Sequence, residues 1–412
     1  MTRPQTRPHT PAVQVCVDTG AGSMLAGTAY IAVARGAVST TFVYDDAYLA
    51  RRDAWAISPD LPLSGRTTTA GLPGGLADSA PDRWGRNLIK KRLQAQARED
   101  CRTAPTVTEL DFLLGVSDTT RQGALRLRHT SAGAFLAQGV TVPKLLELPR
   151  VLQATDEVAR SDASDDDMAA VKLLVDAGSA SLGGARPKAS VRDGDKLLMA
   201  KCPHHSDEWD VMAWEMTALD LAERAGLPTP ARRLVNVGGR QVLLLDRFDR
   251  TGDRRIPYVS AMSLLNGQDG GSYDYLELAE AIADHGSAVV DDLRQLWRRV
   301  AFSIAVHNTD DHMRNHGFLH AKGGWTLAPV FDVNPNPDPA AERASTINFT
   351  ASRAAELEAL IEAAAYFHLA PDEAQKVWAE VLDAVKDWRQ VAERNGVRDN
   401  DLRLFQDVLG HT

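Results

Sequence analysis

The stretch "HNTDDHMRNHGFLH", residues 307–320, gathers four His, two Asp and two Asn in fourteen positions. Three readings compete for it: a transition-metal box, a polar surface turn, or a loop that catalyses phosphoryl transfer. Spacing separates them. Asp310 and Asn315 form a D-x4-N pair, and Asp332 follows seventeen residues after Asn315, in "LAPVFDVNP". Phosphoryl transfer needs a carboxylate that orients or deprotonates the attacking hydroxyl. It also needs an amide oxygen and a second carboxylate to hold Mg²⁺ on the phosphates. A lone D-x4-N recurs by chance; a hairpin-length interval to an apolar residue and Asp makes the pattern specific. Zinc ligation by His307, His312, His316 and His320 is the weaker reading, because the helical HExxH spacing is missing and no Cys is near. Mg²⁺ takes oxygen ligands, which this loop has.

Two stretches upstream bear on the same chemistry. "SASLGGARPKASV", residues 179–191, is a small-residue loop running into a strand. Gly183 and Gly184 let a backbone approach phosphate oxygens closely. It is neither a Walker A loop nor a GxGxxG fingerprint, and Lys188 reads equally as a phosphate contact or a surface lysine. "KLLMAKC", residues 196–202, carries Lys201 in an apolar strand. Such a lysine is ordinarily an edge residue with its amine in water; in a kinase it meets the α- and β-phosphates, held by a helix glutamate. Glu215, in the next helix, is the available partner. Glycine-rich loop, strand lysine, helix glutamate, "LLLDRF", D-x4-N, then an apolar residue and Asp follow one another in the order of a two-lobed kinase.

Bulk composition admits this. A chain of 412 residues supports two or three domains, and 44% hydrophobic content supplies their cores. A net charge of −9 argues against a strongly basic nucleic-acid binder. Cys16, Cys101 and Cys202 are too few and too scattered for a disulfide framework, so a reducing, cytoplasmic setting is expected. No apolar run is long enough to span a bilayer.

Residues 13 to about 45 alternate like short antiparallel strands. Residues 79–100 read as a helix capped by Ser79, with Pro81 in an early position. Residues 156–167 are acidic and read as a solvated linker or a helix start. Residues 208–226 form a helix stopped by Gly226 before Pro228. After about residue 275 the pattern is helical.

With these residues in view, the sequence resembles the HipA family of serine/threonine kinases, the toxins of bacterial toxin–antitoxin pairs. "SLGGARPK", "LLLDRFDR", "NTDDHMRNHGF" and "LAPVFDVNP" carry the resemblance, with "GLADSAPDRWGRNL" and "AERAGLPTP" extending it over nearly the whole chain. It implies an α+β fold: a two-lobed, protein-kinase-like (HipA-like) core bearing an N-terminal β-rich subdomain. The units implied are residues 1–130, a nucleotide-binding N-lobe over 131–248, and a helical C-lobe over 249–412.

The resemblance implies Asp310 as catalytic base with His312 beside it, Asn315 and Asp332 as Mg²⁺ ligands, and Lys201 on the phosphates of ATP. Ser181, Gly183, Gly184, Ala185 and Lys188 would line the ATP site, and the backbone from Asp246 to Phe248 would form the adenine hinge. Ser181 matches a loop serine whose autophosphorylation ejects the loop and silences the kinase; the added charge would oppose ATP phosphates. Arg186 and Pro187 depart from the family's usual AGAQ-Glu wording and bear on how that loop moves.

The implied partners are a small HipB-type helix-turn-helix antitoxin, operator DNA through the antitoxin complex, and a protein substrate such as an aminoacyl-tRNA synthetase. Phosphorylating that substrate would stop translation and cause dormancy, that is, persistence. Two other readings stand beside this one. A small-molecule phosphotransferase of the aminoglycoside-kinase kind would want its His two residues before Asp310, whereas His307 is three before. A pseudokinase acting only as antitoxin partner and co-repressor is the other.

Overall fold

The computed structural model describes residues 12–20, 22–129, 133–137, 142–160, 168–179 and 186–409. The alternating N-terminal segments form β1 (Ala12–Asp18), β2 (Ser23–Ala34) and β3 (Ala37–Tyr44), followed by α1 (Asp46–Leu49) and β4 (Arg66–Ala70). Next come α2 (Gly74–Asp78), α3 (Arg83–Glu99), α4 (Glu109–Gly115) and β5 (Leu125–Arg128). The strands make one antiparallel sheet, ordered β4-β3-β2-β1-β5. Period-two alternation turns Val13, Val15 and Val17 inward, against Ala29, Ile31 and Phe42.

One local reading is corrected here. Ser79 does not cap the long helix; it ends α2, and Asp82 caps α3 by accepting a 2.9 Å hydrogen bond from the Gly85 amide. An aspartate at this position accepts from the third helical N–H as well as a serine does. It also leaves a second carboxylate oxygen for another partner.

The middle of the chain supplies α5 (Leu148–Arg160), α6 (Met168–Asp176), β6 (Lys188–Asp193), β7 (Lys196–Lys201), α7 (Val211–Arg224), β8 (Arg232–Val237) and β9 (Arg240–Asp246). The four strands form an antiparallel sheet ordered β6-β7-β9-β8. Leu148 and Leu152 of α5 cover one face through Val191, Leu198, Val242 and Leu244. Leu243 and Leu245, pointing the other way, join the core of α7 and the helical lobe. The acidic interval is not all linker: residues 156–160 are the last turns of α5, and 161–167 lie outside the described residues.

Beyond β9 lie β10 (Arg250–Thr251), β11 (Arg254–Arg255), β12 (Tyr258–Ser260), α8 (Ala261–Leu264), β13 (Tyr273–Asp274), α9 (Tyr275–His285) and α10 (Val289–Ala305). A hairpin of β14 (Gly317–Ala321) and β15 (Gly324–Leu327) follows, then β16 (Ser345–Thr346), α11 (Glu356–Glu362), α12 (Pro371–Val385) and α13 (Trp388–Arg394). Trp214, Trp297, Phe302, Phe318, Phe367 and Phe405 share one core, which joins α7 to this lobe. Aromatic burial on this scale dominates packing energetics. Among the described residues no helix is long and apolar enough to cross a membrane.

Candidate active site

Lys201 is the last residue of β7, and the apolar alternation of that strand turns its side chain inward, where it is 5% exposed. Its Nζ lies 2.5 Å from Glu215 Oε1 of α7 and 2.8 Å from Asp332 Oδ1. A buried ammonium is tolerated only with such compensation. Burial by itself would strip its charge, but the Asp332 and Glu215 carboxylates outweigh that and raise its pKa. Asp332 shows the converse. Burial would lift its carboxyl, and the Lys201 and Lys188 ammoniums overcome this and hold it at about 2. The backbone reaches Asp332 from Val330, whose amide donates to Pro228 O at 2.8 Å. Asp332 itself sits at φ 58°, a left-handed conformation that costs energy outside glycine and concentrates at working sites.

The opening stretch begins where α10 stops. His307 takes φ 51°, donates its amide to Ile304 O and accepts from the Asn336 amide; its Nε2 lies 2.9 Å from Asp338 O. That makes His307 the helix terminator. His316 is fully buried, 3.1 Å from Asp311 and edge-on to Tyr275. Asp311 also accepts a 2.6 Å bond from the Tyr275 hydroxyl. Burial opposes ionisation of Asp311, yet His316 and that hydroxyl bring its pKa well below the usual carboxylate range. His320 stacks on Trp55 and meets Trp325 edge-on. Three of the four histidines are therefore packing and hydrogen-bonding residues.

Asp310 behaves differently from its buried neighbour: its side chain is exposed. Partial burial raises its carboxyl, the Asp332 and Asp311 carboxylates add to this, and His312 opposes them. The Asn315 amide nitrogen donates 2.9 Å to the Asp310 carbonyl, which fixes the turn and commits the nitrogen. The amide oxygen is the end left for a cation. Half-buried His312 acts electrostatically on both Asp310 and Asp332, and its Nδ1 has no hydrogen-bond partner among the described residues. The flanking carbonyls are pinned from β16 and the residue before it: the Ala344 amide donates to Thr309 O, and Ser345 Oγ to Asp311 O, both at 2.8 Å.

Asp310, His312, Asn315, Asp332, Lys201 and Glu215 thus converge. Lys188 joins them and is no surface lysine: it is 1% exposed and pairs with Asp82 at 2.9 Å. Ser181, Gly183, Gly184 and Ala185 fall outside the described residues. Ser179 is buried. Asp246 pairs with Leu198 across β7–β9, and its carboxylate takes a 3.0 Å bond from Lys196. Phe248 packs at a tilt against Phe331, the residue before Asp332, with ring centroids 5.5 Å apart.

Sequence reasoning missed what the rest of "DRFDR" does. Arg247 and Arg250 both grip the buried Asp249 and donate to the carbonyls of Thr120, Arg121 and Gly123, while the Gly123 amide donates back to Asp249 at 2.8 Å. The motif bolts the N-terminal unit to the lobe that carries the β6-β7-β9-β8 sheet. Nothing in the sequence singles out Asp82, since the cap there is read as Ser79.

The sequence matches the HipA-like C-terminal domain over residues 180–389 and the HipA N-terminal domain over 24–115. The chain superposes on the HipA–HipB–operator DNA structure from Shewanella oneidensis MR-1 with a TM-score of 0.64 at 14% identity, covering 97% of this chain and 95% of that one. A Haemophilus influenzae protein, described only provisionally as a kinase, is 26% identical over 143 residues. That alignment covers 30% of this chain and 42% of the Haemophilus protein. The C-terminal match alone takes in half of the sequence and the whole lysine–glutamate–aspartate cluster, and with the N-terminal match in its proper order it places this chain in the HipA family.

Proposed function

We propose that the protein is an ATP- and Mg²⁺-dependent serine/threonine protein kinase that serves as the toxin of a toxin–antitoxin pair. The observation that carries this is Lys201 held between Glu215 and Asp332, with Asp310 and Asn315 on the adjoining loop. In this reading Lys201 contacts the α- and β-phosphates. Asn315 Oδ1 and the Asp332 carboxylate form a hard-oxygen donor pair, and Asp332 stays ionised at neutral pH. They suit Mg²⁺, which neutralises charge on the β- and γ-phosphates when bound. The Asp310 carboxylate accepts the proton of a substrate serine or threonine hydroxyl as its oxygen bonds the γ-phosphorus. The bond from that phosphorus to the β-bridging oxygen breaks, and ADP leaves.

The toxin role and a HipB-type antitoxin partner are inferred from the family, in which the Shewanella HipA was solved with HipB and operator DNA. An aminoacyl-tRNA synthetase is the substrate the resemblance suggests, and Ser181 is the proposed site of self-phosphorylation. Incubation with γ-labelled ATP and Mg²⁺, followed by peptide mapping, tests this. Label on Ser181, lost in Ser181→Ala, is expected. Label confined to small molecules would move the assignment to a metabolite kinase, and no transfer at all would end the kinase reading.

A further inference from the structure

Two residues of the N-terminal unit, Asp78 and Asp82, touch both sides of the candidate site. Asp78 accepts from the Ser260 amide at 2.6 Å and the Ser260 hydroxyl at 2.7 Å, and lies 3.5 Å from Arg314, between Asp310 and Asn315 in the chain. Asp82 spends one oxygen on the Gly85 amide and the other on Lys188 Nζ, 2.9 Å away. Lys188 stands directly opposite Lys201 in the β6–β7 ladder. Opposed residues share a face about 5 Å apart, where like charges repel. The repulsion is relieved by alternation: Asp82, Lys188, Asp332, Lys201 and Glu215 form a run of buried or part-buried groups of alternating sign. Lys188 feels Asp82 first and Asp332 second, and Glu215 feels its charge in turn; Asp332 is the one of these anions that the kinase reading needs for Mg²⁺.

We propose that Asp82 is a positioning residue of the active site, contributed by the N-terminal unit, which holds Lys188 away from Asp332 so that the carboxylate oxygen not bonded to Lys201 stays available to Mg²⁺ carried by ATP. The proposal rests on the kinase reading above. Without the Asp82 charge, Lys188 turns to Asp332 in direct competition with the metal. Asparagine is the informative replacement, because it caps a helix as well as aspartate does while withdrawing the charge.

Binding of a fluorescent ATP analogue, titrated against Mg²⁺, tests this without any turnover. The proteins are wild type, Asp82→Asn, Lys188→Gln and the double variant, with thermal melts run in parallel. Asp82→Asn should raise the Mg²⁺ concentration for half-saturation roughly tenfold, the scale of one charge-assisted hydrogen bond. Excess Mg²⁺ should restore binding, which it would not do for a merely loosened fold. In the Lys188→Gln background Asp82→Asn should change nothing further. Should Asp82→Asn fail to fold, the double variant, which leaves no lone buried charge, is compared with Lys188→Gln, and equal Mg²⁺ requirements are expected. An unchanged Mg²⁺ requirement in Asp82→Asn, or a further loss in the double variant, overturns the role of Asp82 while leaving the kinase reading intact. Wild-type protein that binds no nucleotide overturns both.

Discussion

Replacing Glu215 by glutamine removes one of two charges that keep Lys201 ionised inside the protein. The two carboxylates are nearly equivalent partners, at 2.5 and 2.8 Å. At an effective dielectric of about 20 they contribute gross attractions of roughly 7 and 6 kcal/mol. Removing one partner of a buried pair costs ~3–5 kcal/mol, because the other charge is left without compensation. Here Asp332 retains nearly half of the attraction, so the expected loss is about 2 kcal/mol. That corresponds to a fall in Tm of roughly 4–8 °C for a unit of this size. Calorimetry at pH 7 measures it, and urea unfolding gives an independent value. Lys201 should also swing onto Asp332, weakening ATP binding. A Glu215→Gln protein with an unchanged Tm and unchanged ATP affinity would falsify the view that Lys201 depends on both carboxylates.

Other consequences follow from buried groups elsewhere. Burial between Trp55 and Trp325 lowers His320 to about 4, against 6.5 in an unfolded chain. The folded state thus resists protonation: its stability is complete above about pH 6.5 and declines as the pH falls towards 4, by roughly 2 kcal/mol once partial exposure is discounted. Melting curves from pH 7 to 4.5 should therefore be flatter for His320→Gln than for wild type; parallel curves would rule the group out. Asp249→Asn leaves the buried Arg247 and Arg250 undercompensated where the N-terminal unit joins the rest. A cost of ~3 kcal/mol and a Tm lower by roughly 6–12 °C are expected. Limited proteolysis should then cut the N-terminal unit first, and resistance equal to wild type would show that the interlock is dispensable.

The local pattern made much of this protein readable. The D-x4-N pair, the hairpin after it and the lysine in an apolar strand all depend on spacing within one or two elements, and period two or 3.6 places those side chains directly. Longer-range choices left weaker marks. Nothing near Lys188 in the sequence announces Asp82, 106 residues earlier. In "DSAPDRWG" both Ser79 and Asp82 are residue types that cap helices, and it is Asp82 that caps α3 and meets the buried Lys188 with its other oxygen. The clustered histidines were the loudest signal and the least informative: His307 ends a helix, His316 steadies Asp311 and His320 fills an aromatic contact. The resemblance offers the backbone from Asp246 to Phe248 as a hinge, while the arginine side chains of "DRFDR" point into a different unit, which only the folded chain reveals.

The central claim is that Asp310 takes the proton of a hydroxyl that attacks ATP. The most direct measurement pairs phosphoryl transfer with nucleotide binding in Asp310→Asn. The side chain is exposed, and the Asn315 bond reaches the Asp310 backbone carbonyl, so the substitution spares the fold. Transfer from labelled ATP should drop by a factor of at least ~100, within the range given by a positioned base. ATP affinity and Tm should remain at wild-type values. Transfer at the wild-type rate by a folded Asp310→Asn protein would contradict the account.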